Sequence, residues 1–372
     1  MLRFMTAGES HGPCLISVIE GLPAGLVLDA QAINRDLARR QGGYGRGARQ
    51  KIEQDEVRLL AGVVQGRTIG APVAMMVPNR DYENWRERDV PPWTKPRPGH
   101  ADLAGAIKYG IDDMRLIAER ASARETAARV AAGAIAKILL HEVGISVGSY
   151  VEAIGSVSAD VDGLDFVTRC DRAGASDVSC PDPQAAEEMR VEIDAAREAG
   201  DSLGGIIVIA AWGLPVGLGS HVHWDRKLDG RIAQAVMSIQ AVKGIEIGPA
   251  FSNARLPGTR VHDPLYPDDS QPTRRSNRAG GLEGGITNGE PLVVRAAMKP
   301  IPTTVTPIDT IDRATGEAAT TEYQRSDVCA VPAAAVVGEA MVALVLADAV
   351  LERYGGDRLD AIVRRVTDDH DA

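Results

Sequence analysis

Residues 332–354 read PAAAVVGEAMVALVLADAVLERY, and this stretch decides the fold class. It has the length of a helix and is apolar on most sides, so it belongs inside the core. Working outward, Arg124 to Val143 is rich in Ala, Ile and Leu and predicts a second, mostly buried helix. Asp29 is placed to cap a short helix running to Arg40, which Gly42 and Gly43 stop. Asp182 followed by Pro183 starts another, with Gly200 at its end and an acid-rich, solvated outer face. Arg231 to Lys243 completes the set. Strand candidates are Leu15–Glu20, Val73–Val77, Ser146–Ala153, Ile206–Trp212 and Leu292–Met298. They are short and do not alternate regularly with the helices. That order argues against a doubly wound parallel sheet and for antiparallel sheets packed on helices, an α+β arrangement.

The chain has 372 residues, 44% of them hydrophobic, which is ample for a sizeable core; length alone suggests two domains. No uninterrupted run of 18 apolar residues occurs, so no membrane span is expected. The N-terminus meets Gly8 and Glu9 too early for a signal peptide. Cysteines at 14, 170, 180 and 329 show no CxxC pairing, which suggests neither a disulfide framework nor a zinc site and fits a reducing cytoplasm. The net charge of −10 is uneven: residues 160–201 hold 12 acids against 4 bases, whereas Arg35 to Lys51 hold six bases against Asp36 alone. An acidic protein with a focused basic segment attracts small anions better than nucleic acid. Aromatics at 4% also leave little for base stacking.

The glycine-rich segments carry the chemistry. They are 8–12 (GESHG, with His11), 39–49 (RRQGGYGRGAR), 97–102 (RPGHAD, with His100), 120–126 (RASARET), 280–285 (GGLEGG), 299–303 (KPIPT) and 325–327 (RSD). Glycine lets backbone N–H groups approach a ligand. Arginine presents a planar fork of donors suited to phosphate and carboxylate. Histidine has an ordinary pKa of about 6.5, suited to proton transfer near neutrality. The combination describes a site for a phosphorylated or polycarboxylate ligand in acid–base-assisted chemistry. Taken singly, each segment has a plainer explanation, since Gly-Gly pairs mark turns and a lone histidine is more often structural. No P-loop is present, and 43–47 (GYGRG) has the wrong spacing for a dinucleotide fingerprint. His221 and His223 offer two ligands on one strand face, but no third ligand is evident, so no metal site is expected.

In these segments the chain resembles the chorismate synthase family from 8–12 through 325–327 to the Pro332 helix, with long motifs in the right order and spacing. The resemblance implies an α+β fold of helices sandwiched between antiparallel sheets. It implies one domain over 1–372, with a flexible tail after about residue 360, assembled as a homotetramer in the cytoplasm. It implies conversion of 5-enolpyruvylshikimate 3-phosphate into chorismate by anti 1,4-elimination of phosphate, a shikimate-pathway step that requires reduced FMN but is redox-neutral overall.

By motif, the resemblance makes His11 the residue that protonates or charge-balances reduced flavin, and His100 an acid near the departing phosphate. Asp327 resembles the aspartate that helps flavin N5 accept the C6 proton. Arg40, Arg46, Arg49 and Arg124 match substrate positions, with Arg40 and Arg46 also associated with NADP. FMN positions are Arg120, Ala121, Ser122, Gln240, Ala241, Gly284, Lys299, Pro300, Ile301, Pro302, Thr303 and Arg325. Two departures stand out: Ala121 replaces one of two common serines, and the 221/223 histidine pair is unusual. The resemblance also implies an external flavin reductase, with NADPH an indirect reductant. Two other classes are weighed against this: a flavin oxidoreductase that takes hydride from NADPH itself, and a non-catalytic anion-binding relative, against which the intact His11, His100 and Asp327 argue.

Overall fold

The computed structural model describes residues 1–47, 53–88, 90–268 and 272–370. The helices are α1 (Ala30–Gln41), α2 (Asp102–Tyr109), α3 (Met114–Ala121), α4 (Thr126–Glu142), α5 (Phe166–Gly174), α6 (Pro183–Glu198), α7 (Leu228–Met237), α8 (Ala250–Asn253), α9 (Val331–Tyr354) and α10 (Leu359–His370). Local chemistry accounts for several ends. The Asp29 carboxylate accepts from Gln31 N at 3.0 Å, and Gly42 follows the last turn of α1. Asp182 accepts from Gln184 N and Ala185 N, with Pro183 in the first turn of α6. The expected helix 231–243 stops at Met237; Ala241 beyond it takes φ of +66°, and the chain continues as a strand from Val242.

Nine strands form two larger antiparallel sheets. β1 (Arg3–Ala7), β2 (Cys14–Glu20), β3 (Arg58–Ala61) and β4 (Val73–Pro78) lie in the order β1-β2-β4-β3. β5 (Ser146–Ile154), β6 (Val157–Ser158), β7 (Gly205–Trp212), β8 (Val242–Ile247) and β9 (Leu292–Met298) lie in the order β8-β9-β7-β5-β6. Register is set by apolar residues that meet their like across the ladder, such as Ile16 opposite Met76 and Val294 opposite Ile209. The class is α+β, as the strand order implied.

Helix α4 packs on β1, β2 and β4 and against α9, while α9 packs on β5 and β7. Close approach of the two helices depends on Gly133, where an added Cβ would lie 2.3 Å from the Ala340 Cβ. Ile33 and Leu37, fully buried, anchor α1 to this core at about 1.5–3 kcal/mol each. By length and mean hydropathy α9 is apolar enough to cross a membrane, which a count of uninterrupted apolar residues overlooked; 89% of that window is buried inside the protein. The stretch after about residue 360, expected to be a flexible tail, forms α10 with Ile362 and Val366 buried.

Candidate active site

Three elements converge at the C-terminal end of α1. Arg40 projects from its last turn, Arg124 from the short turn that precedes α4, and Asp55 from the segment before β3. Asp55, with no exposed side-chain surface, accepts from Arg40 Nη2 at 2.7 Å and from Arg124 Nη1 at 2.6 Å. Arg40 Nη1 also donates to Thr126 Oγ1 (3.3 Å), and Arg124 Nε to Asn79 Oδ1 (2.9 Å). Asn79 in turn donates to the carbonyls of Glu9 and Gly12, which ties the loop carrying His11 to the arginines. The Arg40 and Arg124 guanidiniums hold the Asp55 carboxyl below the usual carboxylate range although burial alone would raise it. Burial, with Arg124 and Arg46 nearby, pushes Arg40 below the ordinary arginine value, yet it stays charged.

Arg46 is the third guanidinium. Its Nη1 donates to Asp327 Oδ2 and Gly47 N donates to Asp327 Oδ1, both at 2.6 Å. Among the described residues Arg40 Nε, Arg46 Nε and Arg124 Nη2 are buried without a hydrogen-bond partner. Three clustered cations with unpaired buried donors are an arrangement suited to taking up an anion, since an unpaired buried N–H costs about 1–3 kcal/mol. Arg49 lies outside the described residues.

The two histidines are each oriented by a carboxylate. His11 Nδ1 lies 2.6 Å from Glu119 Oε1 on α3, and its ring rests 4.4 Å from that of Trp85, tilted by 42°. His100 Nδ1 lies 2.5 Å from Asp102 Oδ1 at the start of α2. Arg97 Nε donates to the other Asp102 oxygen at 2.8 Å, and Arg97 Nη1 to Thr303 Oγ1 at 3.2 Å. Asp102 is fully buried; hydrogen bonds from His100 and Arg97 nonetheless hold its carboxyl well below the usual range.

Around these groups lie most of the remaining residues singled out by sequence. Arg120 donates to the carbonyls of Thr6 and Gly8; Ala121 ends α3, and Ser122 Oγ donates to Ser10 Oγ. Gln240 Nε2 donates to Glu125, but its buried Oε1 has no partner among the described residues. Lys299 N donates to Ala241 O, joining the two segments, and burial beside Lys243 lowers the Lys299 amine. Ser202 Oγ holds the Ile301 carbonyl between Pro300 and Pro302. A Cβ on Gly99 would lie 3.5 Å from Lys299 Nζ and from Pro302, which brings the His100 loop against this segment. Arg325 Nη2 donates to Asp81, which also accepts from Trp85 Nε1. Gly284 is not brought to this group. It lies at an exposed hairpin tip beyond Gly281, which packs on Leu292, at the end of β9 opposite Lys299. Sequence reading missed Asp55, Asn79, Asp81, Trp85 and Glu119. None sits in a glycine-rich segment; Asp102 was visible only as the last residue of its motif.

The chorismate synthase family model matches residues 2–351. The chain belongs to the chorismate synthase family. It is 54% identical to a chorismate synthase of Geobacter sulfurreducens and 55% identical to that of Moorella thermoacetica, each alignment covering 98% of this chain and 97% of the relative. A solved chorismate synthase crystal structure superposes with a TM-score of 0.82 at 44% identity, over 99% of this chain and 97% of the other. As a chorismate synthase family member, the chain is a lyase of the shikimate pathway that converts 5-enolpyruvylshikimate 3-phosphate into chorismate by anti 1,4-elimination of phosphate. Chorismate synthases work with a reduced flavin.

Proposed function

We propose that Arg40, Arg46 and Arg124 hold the anionic groups of the substrate, that His100 acts on the departing phosphate, and that His11 and Asp327 handle protons beside an FMN. The observation that carries this is the trio of guanidiniums gathered around Asp55 and Asp327 with donors left over. Such preorganised cations favour the charge that builds on phosphate oxygens as the C–O bond breaks. A carboxylate can only accept a hydrogen bond, so Glu119 keeps the proton of His11 at Nδ1 and directs proton exchange to Nε2, whereas the His100 ring is held between Asp102 and Arg97, whose Nη2 lies 3.0 Å from the same Nδ1. Hydrogen bonds from Arg46 and the Gly47 amide hold both oxygens of Asp327, which supports its reading as the carboxylate that assists removal of the C6 hydrogen. Arg49 is assigned to the substrate by motif.

The residues present suit FMN. The unpaired buried Gln240 Oε1 is the kind of acceptor that a flavin ring N–H satisfies, and Lys299 and Arg325 supply cations. With Arg120, Ala121, Ser122, Ala241, Pro300, Ile301, Pro302 and Thr303 they would hold it, whereas Gly284, at the far end of β9, would need another route to the flavin. Reduced FMN would supply electron density for the elimination; orientation and proton control belong to the chain.

One cluster of buried apolar side chains from Leu2 to Val366 supports a single domain, and α4 and α9 lying between the larger sheets supports the helix sandwich. The outer face of the β1-β2-β4-β3 sheet leaves Met5 72% and Leu60 56% exposed beside Ile16 and Val18, the kind of apolar surface that a homotetramer would cover. Free cysteines fit the cytoplasm. The lack of a dinucleotide fingerprint supports NADPH acting indirectly, through a separate flavin reductase. The test is anaerobic turnover with dithionite-reduced FMN, beside a sample given only NADPH and oxidised FMN. Chorismate in the first tube alone is expected. Product in both would transfer the basic loop to nicotinamide binding, and product in neither would sink the site assignment.

A further inference from the structure

Glu339 sits in the middle of the apolar helix α9, 1% exposed, and the mechanism above does not use it. Its carboxylate accepts from Arg39 Nη1 (2.8 Å) and Nη2 (2.5 Å) on α1, from Lys137 Nζ (2.8 Å) on α4, and from Ser149 Oγ (2.7 Å) on β5. Asp36, one turn before Arg39, closes the network with Lys137 at 2.9 Å and Arg39 at 3.0 Å. One buried carboxylate thus clamps two helices and a strand onto α9. Burial would raise its pKa, but Lys137 and Arg39 outweigh that and hold it down to about 2.

The two helices it clamps are those that present the arginine cluster. Arg40 directly follows Arg39 on α1, and Arg124 and Thr126 stand at the head of α4. Neighbouring helical residues point about 100° apart, so fixing Arg39 fixes the direction of Arg40. At a side-chain radius of about 5–6 Å, a 10° rotation of α1 moves the Arg40 guanidinium by about 1 Å. A displacement of that size is enough to cost binding or rate heavily. Buried ion networks contribute little net stability compared with apolar replacements, so rotational register is where this one has its effect.

We infer that Glu339 is a positioning residue for the anion site, setting the mutual register of α1 and α4 so that Arg40 and Arg124 meet the substrate together. This rests on the reading of Arg40 and Arg124 as substrate ligands. The experiment measures the Kd for 5-enolpyruvylshikimate 3-phosphate by calorimetry, together with Tm, in three variants. Glu339→Gln is expected to weaken binding about tenfold and to lower Tm. The paired replacement Lys137→Met/Glu339→Met leaves Arg39 with Asp36 and no stranded ion, so Tm recovers while Kd stays weak. Ser149→Ala, a mild loosening, weakens binding two- to threefold. A Kd that recovers along with Tm in the paired variant, or that never changes, overturns the inference, because a merely structural role predicts one or the other. If Glu339→Gln does not fold, the other two variants decide. Arg40→Met separates the premise: unchanged binding there would remove the anion-site reading itself.

Discussion

Asp55→Asn is the perturbation that most directly tests how the arginine cluster is held. Asn keeps the size of Asp55 but removes the charge that sits between Arg40 and Arg124, both nearly fully buried. The carboxylate of Glu53, 3.8 Å from Arg124, remains. Stranding buried charges in this way costs about 3–5 kcal/mol. With an unfolding entropy of about 2.1 cal/mol/K per residue over 372 residues, that is a fall in Tm of about 4–6 °C. The Asp55 carboxyl is depressed in the folded protein, so its contribution is complete above the unfolded value of about 3.9 and is lost only as pH falls through the lower folded value. A comparison at pH 7 therefore sees all of it. Inorganic phosphate should replace the lost counter-charge. At a hundred times its Kd it restores about 2.7 kcal/mol, or about 3 °C, to the variant and less to the parent. Calorimetry in phosphate and in an organic buffer measures both numbers. A variant within 1 °C of the parent, or equal phosphate gains in the two proteins, would refute the reasoning that Asp55 neutralises an anion-binding cluster.

Three other outcomes are expected. Gly133→Ala forces a Cβ to within 2.3 Å of Ala340 Cβ, so Tm should fall by about 1–4 °C for an overpacking cost of about 1–3 kcal/mol; an unchanged melting curve would show that α4 and α9 can separate freely. Glu339 is held down to about 2 against an ordinary 4.5, so its stabilisation is present above pH 4.5 and drains away as pH falls towards 2. Urea unfolding between pH 5 and 3 should therefore show a shallower acid decline in Glu339→Gln than in the parent, and parallel declines would contradict the assignment. Gln240→Leu should weaken FMN binding two- to tenfold by flavin fluorescence, the range for one net hydrogen bond, and no change would place the ring elsewhere.

Much of the frame was legible without coordinates. Leu292–Met298 was bounded to the residue, and the other four strand candidates lie within the observed strands, because alternation and turn signals are local properties. The caps at Asp29 and Asp182 were equally local. Helices α2, α3, α5, α8 and α10 were missed: the first four span only four to nine residues, and α10 lies in the stretch taken for a tail. The expected helix runs past Met237 into 238–243, where Ala241 takes a positive φ and Val242 begins β8, neither of which any pattern announces.

Composition and motif order determined that the chain handles a phosphorylated anion, and the arginines and histidines carrying that reading were named from sequence. Only the tertiary structure decided how they are held. Asp55, Glu119, Asp102 and Glu339 meet their partners across 15, 108, 2 and 300 residues of chain respectively. Only the shortest of these spans lies inside a motif. The positions of the rest follow from helix packing and sheet register, which depend on the summed burial of distant apolar residues, so no local window of sequence reveals which carboxylate will face which cation.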